Sequence, residues 1–353
     1  MKTGKWLEKC MGRRLGNMVR RLGAQFAKAH SRAARAARRR SLQDCRLVLE
    51  HSSELGANTR GKALARLILA YHIVEKELTM PGRRMGFGRA RVLSLMDRIE
   101  TFEAQYGTGE SQAKHAAGVV RAYAELHDGW DGKSADKAFW NRVDAFVGRR
   151  KDIPAARQWH GTREAFFADR NQAFPAFARS RHSVRDYESA SVPLECLRDA
   201  VELATTAPSA CNRQYTRVHC VTDKTLIGRI LTLQNGNHGF GHLADKLLVV
   251  TADLEGVTGT NERHDLFTNG GMFLMNLCYA LHWHGIGHCI LNWSTPPASD
   301  AALRKLLPLK DSERVVALLT CGIPPPEFDV TASPRKKVSE VFVTHGMSPD
   351  ARE

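Results

Sequence analysis

The sequence lacks any uninterrupted apolar stretch of about 18 residues, the minimum for a membrane-spanning helix, and this excludes a polytopic membrane protein. Cysteine is scarce, with eight residues and no C-x-x-C pair, and several of them lie in apolar runs. That pattern is typical of free thiols in a reducing compartment rather than of a disulfide framework. Residues 1–30 also lack the apolar core of a secretory signal peptide. We therefore expect a cytoplasmic protein.

Aromatic residues make up only 7% of the chain, so surfaces for base stacking are few. Hydrophobic residues make up 43% and charged residues 25%, as in an ordinary globular protein, which excludes collagen-like, mucin-like and fully disordered chains. A length of 353 residues predicts two domains, with one large domain as the alternative. A chain of this length buries a substantial core without disulfides.

Positive charge is concentrated at the N-terminus. Residues 1–40 hold 13 basic residues and one acid, Glu8, and so carry +12 of the net charge of +15. Apolar residues there recur in steps of three or four, which predicts a helical stripe: Leu7, Met11, Leu15, Met18, Leu22 and Phe26. This basic arm could be a solvated, partly disordered tail, a helix on an anionic membrane or polymer, a nucleic-acid-binding arm or a transit peptide. Specific nucleic-acid binding is not expected.

Residues 41–170 are predicted to form a helical domain, with helices near 64–78, 91–107, 112–126 and 134–149. One segment, "HIVEKELTMPGRRMGFG" (72–88), combines a helix end, a Pro-Gly turn and several charges. His72, Glu75 and Lys76 fall within one helical turn, and Arg83 and Arg84 follow the turn. This pattern suggests an anion-binding corner, although charges that complement a helix terminus would give the same sequence.

From residue 176 the pattern changes to strands and helices, which predicts an α+β domain over 176–346, followed by a tail at 347–353. Predicted strands lie at 216–223, 246–253, 286–291, 313–322 and 336–345. Predicted helices lie at 193–207, 224–233, 266–285 and 299–307, the last with Ser299 as its N-cap.

Three short polar motifs lie in this domain. "SRHSVRDY" (180–187) places Arg181, Ser183 and Arg185 at alternating positions, which suits a phosphate if the segment is extended. "APSACNRQ" (207–214) offers Asn212 and Gln214, whose amides suit the edge of a planar heterocycle. "SPRKK" (333–337) adds two further cations. Each motif alone is as typical of a solvated charge run or a polar turn.

In this order, and with the Gly-Gly helix "NGGMFLMNLCYALHWHGIG" between the second and third, the motifs resemble the nitroreductase family of FMN-dependent oxidoreductases. The resemblance covers about residues 176–346, and the 72–88 segment resembles members with a helical N-terminal extension that are encoded near polysaccharide genes. It implies a mixed sheet wrapped by helices and a homodimer with FMN at its interface.

The resemblance also implies roles for individual residues. The FMN phosphate site would be formed by Arg181, Ser183, Arg335 and Lys337, with His182 adjacent to it. Arg185 would face the pyrimidine edge of the flavin. The residues implied elsewhere around the flavin are Ser209, Asn212, Gln214, Asn237, Asn292 and Trp293. The sequence departs from the family pattern at Tyr215 and Thr216 and lacks an expected lysine after Asn237 and an acidic residue at position 292. FMN binding is expected, and the acceptor is left open.

The implied activity is ping-pong hydride transfer from NADH or NADPH, through flavin N5, to a small acceptor. The first alternative keeps the flavin but changes the chemistry, to dehalogenation, dehydrogenation or flavin fragmentation. The second is a scaffold without catalysis whose basic helical half binds an anionic polymer or membrane.

A metal site is also suggested by a cluster of possible ligands: His282, His284 and His288, with Cys278 and Cys289. Because His282 and His284 point to different sides of a helix, we interpret these histidines as packed or flavin-adjacent residues and expect no metal.

Overall fold

The computed structural model describes residues 58–257 and 260–345, together with scattered positions between 31 and 46. The chain divides into two compact units: residues 1–58 with 258–263, and residues 59–257 with 264–353. In the first unit the described positions within 31–46 are helical, and Arg263 pairs with Asp44 at 2.7 Å. The apolar stripe predicted within residues 1–40 and the tail at 347–353 lie outside the described residues.

The second unit begins with a helical part whose helices match the predicted ones closely. They are α1 (Arg60–Leu78), α2 (Arg89–Tyr106), α3 (Ser111–Leu126), a 3₁₀ segment (Asp131–Asp136) and α4 (Lys137–Gly148). The Thr59 hydroxyl accepts the Lys62 N–H at 3.3 Å and caps the start of α1. Gly107 follows α2 with φ +83°, a conformation that favours glycine and ends the helix.

The apolar face of α1 explains why this part is ordered. Its predicted stripe is buried at Leu64, Leu67, Tyr71, Val74 and Leu78, where it packs against the apolar faces of α2, α3 and α4. Fully burying one aliphatic or aromatic side chain contributes about 1.5–3 kcal/mol, so the shared core holds the four helices together.

The rest of the unit contains six strands and seven further α-helices within the described residues. In chain order these are β1 (Trp159–Thr162), α5 (Arg163–Phe166), α6 (Phe174–Ser180), α7 (Leu194–Ala204), β2 (Thr216–Val221), α8 (Lys224–Leu231), β3 (Lys246–Asp253), α9 (Asp265–Trp283), β4 (Gly287–Asn292), α10 (Pro297–Leu306), β5 (Glu313–Gly322), β6 (Glu327–Val330) and α11 (Val338–Val341). Short 3₁₀ segments lie at Ala210–Asn212, Gly241–Leu243 and Leu254–Gly256.

The main sheet has the strand order β2-β3-β5-β4, and helices cover both of its faces. Side chains alternate along β3: Leu248 and Val250 pack with α7 and α9, whereas Leu247 and Val249 pack with α8 and α10. Helix α9 lies close to the sheet because residue 270 is glycine; a Cβ there would lie 2.6 Å from Val316 Cγ2. The α+β class with a helical N-terminal part is confirmed.

Three details differ from the sequence predictions. All strand pairs among the described residues are antiparallel, including β1 with β6, so the expected mixture of strand directions is not found there. The strand predicted at 336–345 is instead the short helix α11 followed by irregular chain. Helix α10 starts at Pro297 with Pro296 as its N-cap, so Ser299 lies inside the helix, because Pro297 suits the first helical position.

The helices of the described ranges include none with the length and apolarity needed to cross a membrane. The proposed domain boundaries at residues 40, 170 and 346 stay predictions.

Candidate functional site

A cavity of about 320 Å³ lies where the helical part meets the sheet-containing part of the second unit. Its lining residues come from α1, from the segment after α6 and from the segment after β6. They are Ile68, Tyr71, His72, Arg181, His182, Ser183, Arg185, Thr331, Ser333, Pro334 and Arg335. Two predicted motifs, "SRHSVRDY" and "SPRKK", therefore meet in space although about 150 residues separate them.

Positive charge dominates this cavity. No carboxylate of the described ranges lies within ion-pair distance of Arg181, Arg185 or Arg335, and Arg181 Nε is buried without a hydrogen-bond partner there. Three guanidinium groups around one cavity, with the Ser183 hydroxyl beside them, form a site for an anion that accepts several hydrogen bonds, such as a phosphate.

The sheet edge positions the arginine segment. The N–H of Val184 donates to the carbonyl of His288 on β4 at 2.9 Å, and the Val184 side chain is buried in the core below. With Val184 directed inward, Ser183 and Arg185 are left to line the cavity, as expected of an extended segment. Arg185 Nη1 also donates to Thr331 Oγ1 at 3.3 Å, which links the two walls.

The segment after β6 turns sharply at Ser333, whose φ is +40°. Its carbonyl accepts from Arg335 Nη1 at 3.1 Å, which directs the guanidinium. Lys337, also predicted for this site, does not line the cavity; its backbone N–H donates to Glu340 Oε1 at 3.1 Å.

Histidines near the arginines are held neutral. Burial lowers the pKa of His182, and the charges of Arg181 and Arg335 lower it further. Burial, aided by the charge of Arg181, likewise lowers the pKa of His288 to about 4 and that of His282 to about 3. The positive charge beside Ser183 is therefore that of the arginines rather than of His182.

The second predicted cluster forms a strained loop between α7 and β2. Three non-glycine residues have positive φ within four positions: Cys211 at +51°, Asn212 at +55° and Gln214 at +48°. Gln214 Nε2 donates to Asn212 Oδ1 at 3.0 Å, and the Gln214 N–H donates to Ser209 Oγ at 3.0 Å. Left-handed backbone costs about 1–2 kcal/mol per residue, and such strain concentrates at functional sites.

This strained loop and the arginine cavity lie at opposite edges of the sheet. Gln214 is followed closely by β2, whereas the arginine segment is bonded to β4. Three strand spacings of about 4.8 Å, or about 14 Å in all, separate β2 from β4. Ser209 and Gln214 line a separate small cavity of about 90 Å³ that shares no lining residue with the first.

Asn237 and Asn292 form a third group, joined through Gln234. The Asn237 side-chain amide donates to the Gln234 carbonyl at 2.7 Å and to Gln234 Oε1 at 3.1 Å. Gln234 Nε2 in turn donates to the Asn292 carbonyl at 3.1 Å. Trp293 Nε1 donates to Asp300 Oδ1 at 3.1 Å. Within the described residues, none of these hydrogen bonds involves a residue that lines the arginine cavity.

Sequence reasoning missed Ile68, Tyr71, Thr331 and Ser333 as cavity residues, since no local pattern marks them. The sequence of the 72–88 segment suggested an anion-binding corner, and the structure places only part of that segment at the cavity. His72 lines the cavity, as an anion-binding corner requires, whereas Arg83 pairs with Asp329 at 3.3 Å.

One residue of the histidine and cysteine cluster considered as a metal site, His282, packs against aromatic rings. The His282 ring lies against Phe166, Phe167 and Phe177, and its Nε2 is 2.8 Å from Ser180 Oγ.

A sequence model of the Nitroreductase family matches residues 178–237, which include the arginine segment and the strained loop. Among solved structures, the chain is similar to the nitroreductase family protein of Streptococcus pneumoniae TIGR4, at 22% identity and TM-score 0.42, over 49% of this chain and 100% of that one. It is also similar to the FMN-dependent nitroreductase of Clostridium difficile R20291, at 19% identity and TM-score 0.42, over 48% and 98%. No curated protein sequence matches significantly.

Proposed function

We propose that this chain is an FMN-dependent oxidoreductase that takes hydride from NADH or NADPH and reduces a small acceptor. The observation that carries the proposal is the cavity in which Arg181, Arg185 and Arg335 meet with no acidic partner among the described residues. Two of these arginines lie in the segment that matches the Nitroreductase family model.

The residues of the cavity fit the phosphate end of FMN. A phosphomonoester carries about −1.5 to −2 charge at pH 7 and offers three strong acceptor oxygens. The cavity offers guanidinium groups, the Ser183 hydroxyl and a buried Arg181 Nε that lacks a partner among the described residues. Leaving such a buried donor unpaired is costly, so a bound anion there would stabilise the protein.

Different residues would bind the two ends of the cofactor. Arg181, Ser183 and Arg335 would hold the phosphate. Arg185, bonded to Thr331 and 6.0 Å from the Phe240 ring, is positioned to stabilise negative charge beside the cavity. The flavin ring would supply the hydride chemistry, while these side chains bind and orient it.

A second copy of the chain would complete the site. One chain holds the arginine cavity and the loop of Ser209, Asn212 and Gln214 at opposite sheet edges, and the cavities beside them share no lining residue. A two-fold dimer can bring the loop of one copy to the cavity of the other. The exposed amides of Asn212 and Gln214 would then hydrogen-bond the polar edge of the flavin.

Exposed apolar surface supports the dimer. Helix α9 exposes Phe267 at 51%, Met272 at 37% and Trp283 at 47%, although its other face is the core of the unit. The chain after β6 exposes a second apolar group, comprising Val338, Val341, Phe342 and Val343. Several large apolar side chains exposed along these two segments favour an interface, and a second copy of the chain would complete the site that one copy divides.

An absorbance spectrum of the purified protein tests the proposal, followed by anaerobic addition of NADH and of NADPH. We expect flavin bands that bleach with at least one nucleotide. A bound flavin that neither nucleotide reduces would refute the proposed reductant, and a protein that takes up no FMN would refute the proposal as a whole.

A further inference from the structure

Helix α1 of the helical part contributes side chains to the arginine cavity, a role that the family resemblance assigns to none of its residues. We propose that His72 is an additional ligand of the phosphomonoester group and that Glu75 is a positioning residue that holds the Ser333–Arg335 turn against it. The inference rests on the proposed function, because it takes the ligand to be FMN.

Glu75 is a fully buried carboxylate with a complete set of donors. Its Oε1 accepts from His115 Nε2 at 3.0 Å and from the Ser333 N–H at 3.1 Å, and its Oε2 accepts from His72 Nδ1 at 3.2 Å and from Ser333 Oγ at 3.4 Å. Burial alone would raise the pKa of Glu75, but the hydrogen bonds from His115, His72 and Ser333 lower it to about 2. The carboxylate therefore stays ionised and accepts every one of these bonds.

The backbone conformation of Ser333 shows what the Glu75 carboxylate stabilises. Its φ of +40° lies in the left-handed region, which is unfavourable for a non-glycine residue. Two bonds from Ser333 to Glu75 offset that cost, and the turn they hold directs Pro334 and Arg335 to the cavity wall. Without the carboxylate, the turn would relax and Arg335 would lose its fixed position.

His72 is oriented by the same carboxylate. Because an ionised carboxylate only accepts hydrogen bonds, Nδ1 of His72 must carry a proton. The remaining nitrogen, Nε2, has no partner among the described residues and is available to a ligand in the cavity that His72 lines. Because Nδ1 carries the proton, Nε2 can accept a hydrogen bond from the protonated oxygen of a phosphomonoester, whose second pKa is about 6.

The chain offers a matched control for His72. The Nδ1 atom of His160 lies 2.7 Å from Asp329 Oδ1, so His160 is likewise a histidine bound to an acid, but it is exposed and does not line the cavity. His72→Gln and His160→Gln therefore make the same chemical change at two sites, of which one touches the ligand.

The experiment compares FMN with riboflavin, which has the same ring and no phosphate, by titration of the stripped protein and quenching of flavin fluorescence. For His72→Gln we expect the Kd for FMN to rise about tenfold and the Kd for riboflavin to stay unchanged. His160→Gln should change neither. Equal weakening of both flavins, or of neither, by His72→Gln would overturn the role of His72.

Glu75→Gln tests the positioning role, with circular dichroism to verify folding. We expect weaker FMN binding and unchanged riboflavin binding. Because glycine adopts positive φ at little cost, adding Ser333→Gly to this variant should restore most of the lost affinity. An absence of rescue would overturn the role of Glu75.

The unaltered protein distinguishes this inference from the proposed function. If it bound neither flavin, the proposed function would fail. If it bound FMN better than riboflavin and the variants changed nothing, only this inference would fail.

Discussion

The Val184 N–H and the His288 carbonyl are joined by one hydrogen bond of 2.9 Å, which attaches the arginine segment to the outer strand of the sheet. Val184 is 1% exposed, so the same residue also anchors the segment in the core. The neighbouring polar side chains then line the cavity from a rigid base. A site built on a strand edge keeps its geometry better than one built on a free loop.

Replacing Arg181 should weaken FMN binding selectively. In Arg181→Ala the phosphate loses a charged hydrogen-bond donor, so we expect the Kd for FMN to rise about 10- to 100-fold and that for riboflavin to change little. Fluorescence titration measures both values. Lys336→Ala removes an exposed cation from the adjacent turn and serves as the control. An unchanged Kd for FMN in Arg181→Ala would show that the phosphate lies elsewhere.

Mixed dimers test whether two chains share each site. Arg181→Ala damages the cavity and Asn212→Ala damages the strained loop, so each homodimer should bind FMN weakly. When both chains are co-expressed with different tags and the mixed dimer is isolated, one site carries both lesions and the other carries none. We expect half of the sites to bind FMN with the affinity of the unaltered protein. Uniformly weak binding would mean that one chain provides both groups.

A charge on the exposed face of α9 should separate the dimer. Met272 is 37% exposed there, and a carboxylate buried at a two-fold interface would meet its own copy without a cation. For Met272→Glu we expect dimer affinity to fall at least about 100-fold, measured by light scattering, together with loss of FMN. Leu69→Glu, on an exposed site of α1, is the control and should remain dimeric. A dimeric Met272→Glu would exclude this face as the interface.

Two buried histidines should make the protein less stable in mild acid. Burial lowers the pKa of His288 to about 4 and that of His282 to about 3, whereas the unfolded chain binds these protons below about pH 6.5. The unfolded state therefore binds more protons, and the free energy of unfolding falls as the pH decreases from about 6.5 towards 4. Each histidine contributes up to about 2 kcal/mol of this loss between pH 6.5 and 5.

Urea unfolding at pH 7 and pH 5 measures this effect. His288→Leu removes one of the two titrating groups, so its difference in unfolding free energy between the two pH values should be smaller. His238→Gln, at an exposed position, is the control. An identical pH dependence in His288→Leu would show that His288 does not titrate as its burial requires.

Deleting residues 1–40 should leave FMN binding intact. The described residues that line the arginine cavity and the cavity beside the strained loop lie between positions 68 and 335. We expect the Kd for FMN to stay within about twofold, as for changes remote from a site. Loss of flavin in the deleted protein would mean that the basic arm takes part in the site.

Local sequence patterns predicted most of the fold. The apolar run at 313–322 is the buried strand β5, and the stripe of Leu64 to Leu78 is the buried face of α1. The predicted strand at 336–345 failed for a physical reason. Its apolar residues suit a strand, but a strand needs a hydrogen-bonded neighbour, and the described residues provide none.

The cavity could be predicted only in part. Arginine and serine at alternating positions indicate a phosphate site, and the family resemblance joined that segment to Arg335. The positive φ of Ser333 could not be predicted, because no neighbouring residue requires it; it depends on Glu75 in another part of the chain. The sequence around His72 likewise suggested an anion site, but it could not show that His72 lies beside Arg181 and Arg335, which are distant in the chain.

The bond between Glu75 and Ser333 spans 258 positions of the chain. A ribosome adds about 5–20 residues per second, so α1 emerges well before the turn it must hold. The four N-terminal helices share a core of their own and can form during this interval. The arginine cavity can close only after residue 335 has left the exit tunnel. FMN would therefore load only after this turn has emerged, and a nascent chain that stalls earlier would remain without it.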